Sequence, residues 1–263
     1  MVLLAGAFAM AFPLLWLLST ALRPEAELLQ LPPRILPSQW TLSNFTGVFN
    51  AAPFGRYFLN SMIFATGSTF GILTTSLIAG YIFAKFRFPG NQLLFMAILA
   101  TAIVPFEIYM IPLYLLMKDL KLINTMPGIL LPYLVMSYGI FFMRQNVIAS
   151  IPDELLEAAR IDGLSEWGIM WRIVMPLLAP AMSALAIFAF LQAWTAFIWP
   201  LLVINTKDLY TMELGLSMFQ TGFTVHFGLT AAGSILSLLP IVITFLFLRR
   251  QIIEGVTLTG LKG

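Results

Sequence analysis

The stretch Glu157–Pro180, EAARIDGLSEWGIMWRIVMPLLAP, gathers Glu157, Arg160, Asp162, Glu166 and Arg172 around an Asp-Gly turn and then runs into apolar sequence. Upstream, Ser150-Ile-Pro-Asp153 reads as a helix start, with a hydroxyl cap, a proline in the first turn and a carboxylate for the free N–H groups. The spacing predicts a short helix carrying Leu155, Ala158, Ala159 and Ile161, closed at Asp162-Gly163, because glycine accepts the left-handed conformation that ends a helix. Ser165-Glu166 caps a second piece, WGIMWRIVM, which leads through Pro176 into an apolar run. The expected product is two short helices meeting at an angle. A solvated linker has no use for Trp167, Ile169, Met170, Trp171 and Ile173, so part of this surface is expected to pack or to dock.

Around this elbow the chain is mostly apolar. Of its 263 residues, 60% are hydrophobic and 10% charged, against about 25% charged in soluble domains, which marks an integral membrane protein. The net charge of +2 is small and its basic residues are scattered, which excludes a nucleic-acid surface. Without cysteine, and with His226 as its one histidine, the chain offers no disulfide framework, no cysteine zinc site and no Cys/His pair. It also lacks the G-x-x-x-x-G-K-[ST] cradle for nucleotide phosphates, so any ATP energy must come from a partner.

A helix needs roughly 20 residues to cross about 30 Å of hydrocarbon. Six runs qualify, near 2–22, 57–84, 92–117, 127–148, 177–203 and 229–248, leaving an elbow at 150–176 and a tail at 249–263 within one transmembrane domain, 1–263. The runs lack the alternation of a barrel, so the fold class is all-α, a polytopic bundle. Pro105, Pro112, Pro132, Pro180 and Pro200 predict kinks or breaks. Gly67, Gly71, Ser76 and Gly80 form small-x-x-x-small pairs suited to close helix approach. Residues 1–22 lack the charged region and cleavage site of a secretory signal, and the short start suggests that a cytoplasmic leader is absent here.

Six spans put both termini on one side. Lys85, Arg87, Arg144, Arg160, Arg172, Arg249, Arg250 and Lys262 then face Arg23, Arg34, Arg56, Lys118, Lys121 and Lys207, a bias that places termini and elbow in the cytoplasm. In the first outer loop Pro32-Pro33 and Pro37 stiffen a ledge whose Trp40 and Phe45 are available to bury at the bundle, and Asn44-Phe-Thr46 fits a glycosylation sequon.

EAARIDG, with Ile173 and then MPLLAP, resembles the EAA loop of inner-membrane permease subunits of binding-protein-dependent ABC importers. The flanking IPDELLEAA is similar to the carbohydrate-uptake branch, in particular its maltose-type, six-span subunit. Ala21–Phe49, AKFRFPG at Ala84–Gly90 and the tail RRQIIEGVTLTGLKG resemble, in order, that branch's first external segment, first cytoplasmic turn and C-terminus, so nearly the whole chain is covered.

The resemblance implies that the elbow is a coupling helix docking on a cytoplasmic ATPase. Glu157 would pair with a basic group there, Ala158 and Ala159 would allow close seating, and Asp162-Gly163 would supply the turn. It implies partners: a second, homologous permease chain, two ATPase subunits carrying ATP and Mg, and an extracytoplasmic solute-binding protein. This chain would bind no cofactor or metal, would not itself be catalytic, and would lie in the bacterial inner membrane. The competing reading of the elbow is a surface linker held by Glu157 and Arg160 at i,i+3.

For a substrate path the residues suggest Glu107, between Pro105 and Pro112, because an intramembrane carboxylate is costly unless it faces water or a partner. Gln192, Trp194, Thr195 and Trp199 add aromatic faces, an amide and a hydroxyl of the kind that suit a sugar, with interface anchoring as the alternative for Trp199. The family commonly has Trp-Asn where this chain has Trp194-Thr195, which separates that pair from any inherited role. The expected function is half of the translocation pathway for a sugar or related polar solute. An ion-coupled secondary transporter using Glu107 is the alternative, although no internal repeat supports it, and an intramembrane enzyme using Glu107 and His226 is a third reading.

Overall fold

The computed structural model describes residues 2–30, 36–221 and 224–260. Pro32-Pro33, Arg34 and Lys262, which entered the sequence reading, lie outside the described residues. In chain order the helices are α1 (Val2–Ala21), α2 (Glu25–Leu28), α3 (Ser43–Ala51), α4 (Phe54–Lys85), α5 (Asn91–Thr101), α6 (Phe106–Asp119), α7 (Met126–Leu130) and α8 (Ser137–Ser150). They continue with α9 (Asp153–Ile161), α10 (Glu166–Ile169), α11 (Met175–Leu177), α12 (Ala179–Trp194), α13 (Ile198–Val203), α14 (Met212–Ser217) and α15 (Phe227–Gly260). The sole strand pairing among the described residues is a two-residue antiparallel ladder, β1 (Gln220–Thr221) on β2 (Thr224–Val225). The fold is all-α in substance, as the apolar runs require.

Three helical stretches, Leu3–Ala21, Phe54–Lys85 and Phe227–Phe247, are long and apolar enough to cross a membrane. Three further pairs pass only as bent units: α5 with α6 at 98°, Met126–Tyr133 with α8 at 42°, and Glu166–Leu177 with α12 at 80°. Prolines account for these breaks. Pro105 is extended ahead of α6, Pro132 sits in the 3-10 turn Leu131–Tyr133, and Pro180 falls in the first turn of α12. Each lacks an N–H for the ladder; the ring of Pro105 also disfavours helix at Val104, which is a bend, whereas Leu131 and Ala179, ahead of the other two, keep helical backbone. Pro112 and Pro240 lie inside α6 and α15 without ending them. The tail continues α15 as helix to Gly260.

The chain divides into two compact units, residues 1–62 with 204–243, and 63–203 with 244–263. In the first, short polar contacts organise the segment between α1 and α4. Asn44 Nδ2 donates to the carbonyls of Ala21 and Arg23 at 3.0 and 2.6 Å. That amide is buried and engaged, so the sequon is closed to glycosylation. The Glu27 carboxylate accepts from the backbone N–H and hydroxyl of Ser38, and Glu25 Oε2 accepts from Gly228 N–H. Pro37 is buried, but Trp40 is 67% exposed, contrary to the expectation that it buries at the bundle: the bend at 36–40 turns it outward, while Phe45 on α3 is half-buried. Leu3, Leu4, Phe8 and Met10 are exposed along α1, a surface suited to lipid and not to water.

In the second unit the small residues of α4 do what their spacing predicts. A Cβ on Gly71 would stand 2.6 Å from Leu134 Cδ2, and one on Gly80 would stand 2.8 Å from the backbone nitrogen of Arg144. Thr75 Oγ1 donates to the Leu134 carbonyl at 2.9 Å. Ile72, Leu77 and Tyr81 of α4 join Met143, Val147, Val174 and Leu185 in one core, which extends to the elbow through Ile151, Leu156, Ala159 and Ile169.

Candidate functional site

In the elbow, α9 is two-faced because apolar and polar residues alternate at helical spacing. Leu156 and Ala159 are buried in the core, whereas Glu157, Ala158 and Asp162 are exposed and Ile161 is 86% exposed. The paired alanines therefore divide: Ala158 is available for docking, but Ala159, expected to seat a partner, is consumed by packing against the bundle. The helix starts differently from the sequence expectation. Ser150 ends α8 and caps nothing, and Pro152 precedes Asp153 without a side-chain cap. Asp153 instead receives Lys85 Nζ at 2.6 Å, and the same ammonium donates to the Ile151 carbonyl at 2.6 Å. The Lys85 hydrogen bond and charge hold the Asp153 carboxyl below the usual carboxylate range.

The turn closes as its residues dictate. Gly163 has φ +84°, and the N–H groups of Gly163 and Leu164 donate to the carbonyls of Arg160 and Ala159. Ser165 Oγ then accepts from Gly168 N–H at 3.3 Å. Arg160 does not pair with Glu157. Its Nε donates to Glu166 Oε1 at 2.7 Å, whose other oxygen accepts from Tyr81 Oη at 3.0 Å. The Glu166 carboxylate keeps the Arg160 guanidinium even more firmly protonated than usual. Glu157 forms no ion pair among the described residues and is left pointing away from the core. A π-helical turn at Met170–Val174 follows, with Trp167 and Trp171 exposed.

A cavity of about 1020 Å³ opens where α5, α6, α8 and α12 break or end. Gln192, Thr195 and Trp199 line it, as do Tyr109, Tyr133 and Tyr138. Thr101 Oγ1 and Ser137 Oγ share a hydrogen bond of 2.6 Å at its wall. Trp199 is 1% exposed, its Nε1 donates to the Gly128 carbonyl at 3.2 Å, and Phe106 meets its ring edge-on. It is thus a packed wall rather than an anchor at the lipid interface. Two expected residues lie elsewhere: Trp194 is fully buried and stacked on Phe190, and Glu107 is exposed in the first turn of α6 while its neighbours Phe106 and Tyr109 reach the cavity. The sequence reading missed the tyrosines. For Tyr109 and Tyr133 a signal was present, as phenols beside prolines within apolar runs; Tyr138 had none. Among the described residues no three His, Asp or Glu side chains gather where a metal ion could sit.

Comparison with known proteins places these features in company. Residues 76–252 match the family described as "Binding-protein-dependent transport system inner membrane component". The arabinooligosaccharides transport system permease protein AraQ of Halalkalibacterium halodurans is 38% identical over 98% of this chain and 93% of its own length. The sn-glycerol-3-phosphate transport system permease protein UgpE of Yersinia pestis is 31% identical over 96% of this chain and 92% of its own. The diacetylchitobiose uptake system permease protein NgcG of Streptomyces coelicolor is 28% identical over 93% and 82%. A chain in the crystal structure of a bacterial ABC transporter involved in the import of the acidic polysaccharide alginate superposes with TM-score 0.82 at 21% identity, covering 95% of this chain and 93% of that one, which establishes a shared fold.

Proposed function

The chain belongs to the family of inner-membrane components of binding-protein-dependent transport systems, and from that premise we propose that it forms half of the pathway by which an ATP-driven importer admits a sugar or related polar solute. The solute is delivered by an extracytoplasmic binding protein. A second, similar permease supplies the other half, and two ATPase subunits sit beneath, carrying the ATP and Mg that this chain does not bind. Membership in this family leaves the ion-coupled alternative at Glu107 without support.

The observation that carries the reading is the outer face of α9. Glu157, Ala158, Ile161 and Asp162 are exposed on a helix whose inner face is locked into the core and whose ends are fixed by Lys85 and Glu166. A rigid helix with an unpaired carboxylate and an exposed isoleucine is suited to seat in a cleft and carry its motion to the bundle. ATPase closure would shift the elbow, open the path outward and draw the solute from its binding protein; hydrolysis would reset it. In this reading α5 with α6, α7 with α8, and α12 with α13 each make one span beside the three long helices, giving six, with termini and elbow in the cytoplasm of a bacterial cell. The cavity tyrosines, Gln192 and Thr195 offer hydroxyl, amide and ring faces to the passing solute. Sugars named for the relatives support that class, and the glycerol phosphate of another marks its breadth.

The test is native mass spectrometry of the complex that copurifies with this chain, beside Glu157→Ala and Gly163→Pro variants. A second permease and two ATPases in the parent, with ATPases lost in both variants, is the expected result. A chain found alone or as a homo-oligomer, indifferent to either change, would sink the coupling role. The copurified binding protein can then be screened for its sugar.

A further inference from the structure

The end of α4, the turn at 86–90, the start of α5 and Arg144 of α8 enclose a groove of about 660 Å³, apart from both the elbow face and the tyrosine cavity. Its charged residues are Arg87 and Arg144, and no carboxylate lines it. Asp153, which feels the charge of Arg87, is bonded to Lys85. Arg144 is half-buried and held in place: its Nε donates to the Phe83 carbonyl at 3.2 Å, and its guanidinium carbon lies 4.4 Å over the Phe95 ring. These contacts fix the guanidinium plane and leave its terminal nitrogens without a partner among the described residues. Gly90, at φ +83°, starts α5 with no side-chain cap, so the positive end of an 11-residue helix lies at the groove rim.

Asn91, whose amide donates to the Phe86 carbonyl, and Gln92 complete the polar part, and the remaining wall is apolar. Leu93, 73% exposed, and Met96, half exposed, continue from the groove along the outer side of α5. A polar anion site that runs directly into an exposed apolar strip matches a molecule with a phosphate at one end and hydrocarbon at the other. A free phosphate would use only the first part, and a zwitterionic headgroup would bring a quaternary amine towards two guanidiniums.

We propose that this groove binds an anionic phospholipid, its phosphate on Arg87 and Arg144 and an acyl chain along Leu93 and Met96. Two positive groups held close to a membrane surface favour an anionic headgroup, and guanidinium presents paired N–H donors that match phosphate oxygens. The inference rests on the permease reading only in requiring lipid beside α5.

The experiment titrates the purified, delipidated complex with phosphatidylglycerol or phosphatidylcholine and counts adducts on this chain by native mass spectrometry. One phosphatidylglycerol is expected to saturate well below phosphatidylcholine. Arg144→Gln and Arg87→Gln should each weaken it about fivefold, and Lys118→Gln should leave it unchanged. Arg87 is exposed, so its variant reads the site even if loss of the Arg144 packing disturbs the bundle. Equal retention of both lipids, displacement of the adduct by millimolar inorganic phosphate, or an unchanged Arg87→Gln variant would each overturn the proposal. ATPase retention in the same spectra reports separately on the permease reading.

Discussion

Lys85 Nζ stands 2.6 Å from both Asp153 Oδ1 and the Ile151 carbonyl oxygen, so the last residue of α4 holds the first turn of α9 by one charged and one neutral acceptor. The Lys85 side chain is 9% exposed and that of Asp153 76%, so the two ends of the pair are not equivalent.

Lys85→Met is therefore expected to cost more than Asp153→Asn. Removing Lys85 leaves the Ile151 carbonyl without its charged donor, worth about 1–3 kcal/mol, whereas Asp153 is solvated with or without its partner. Thermal unfolding of the two variants in detergent checks the order, and equal losses would mean that the carbonyl bond carries nothing. The pH dependence follows from the direction of the shift. Because Asp153 is held below its usual value, its contribution is present above the unfolded carboxylate pKa of about 3.9 and is lost as pH falls through the lower folded value. The gap between parent and Asp153→Asn should close on acidification.

Gly163 has φ +84° and open space where a Cβ would go, so any penalty there is backbone strain alone. Gly163→Ala should destabilise the elbow by about 1–2 kcal/mol, and Gly163→Asn by less, because asparagine tolerates the left-handed region better. Hydrogen exchange of the amides of 153–165 reads this directly; faster exchange in the alanine variant, intermediate in the asparagine one, is the expected order.

Two glycines of α4 make an internal control. A Cβ on Gly80 would meet Met143 Cβ at 2.8 Å as well as the Arg144 backbone, whereas one on Gly55 meets nothing within 4 Å. Gly80→Ala should lower stability by about 1–3 kcal/mol by forcing α4 and α8 apart. Gly55→Ala should be neutral or stabilising by up to about 1 kcal/mol, since alanine favours helix. Melting midpoints moving the same way in both would show that the close approach is not the cause.

In the cavity, Gln192→Ala removes an exposed amide and should raise the transport KM about fivefold, the worth of one neutral hydrogen bond, with kcat little changed. Glu107→Gln lies off the cavity and should leave uptake unaltered. Solute uptake in vesicles carrying the whole complex measures both, and a large loss in Glu107→Gln with none in Gln192→Ala would redirect the path to the N-terminal end of α6.

Much of this protein follows from local sequence. Apolar run length sets the helices, proline position sets the breaks at Pro105, Pro132 and Pro180, and Asp162-Gly163 sets the elbow turn, because each depends on constraints confined to a few neighbouring residues. Tertiary structure decided which side of a helix faced inward and which partner a charge found. Ala158 and Ala159 look alike in sequence, yet only one is exposed, and Arg160 bonds Glu166 beyond the turn instead of Glu157 one turn back. Trp194 and Trp199 are likewise separated into core and cavity wall by a break at Thr195. Such outcomes depend on burial and distance between segments far apart in the chain, and no periodicity along a single helix carries that information.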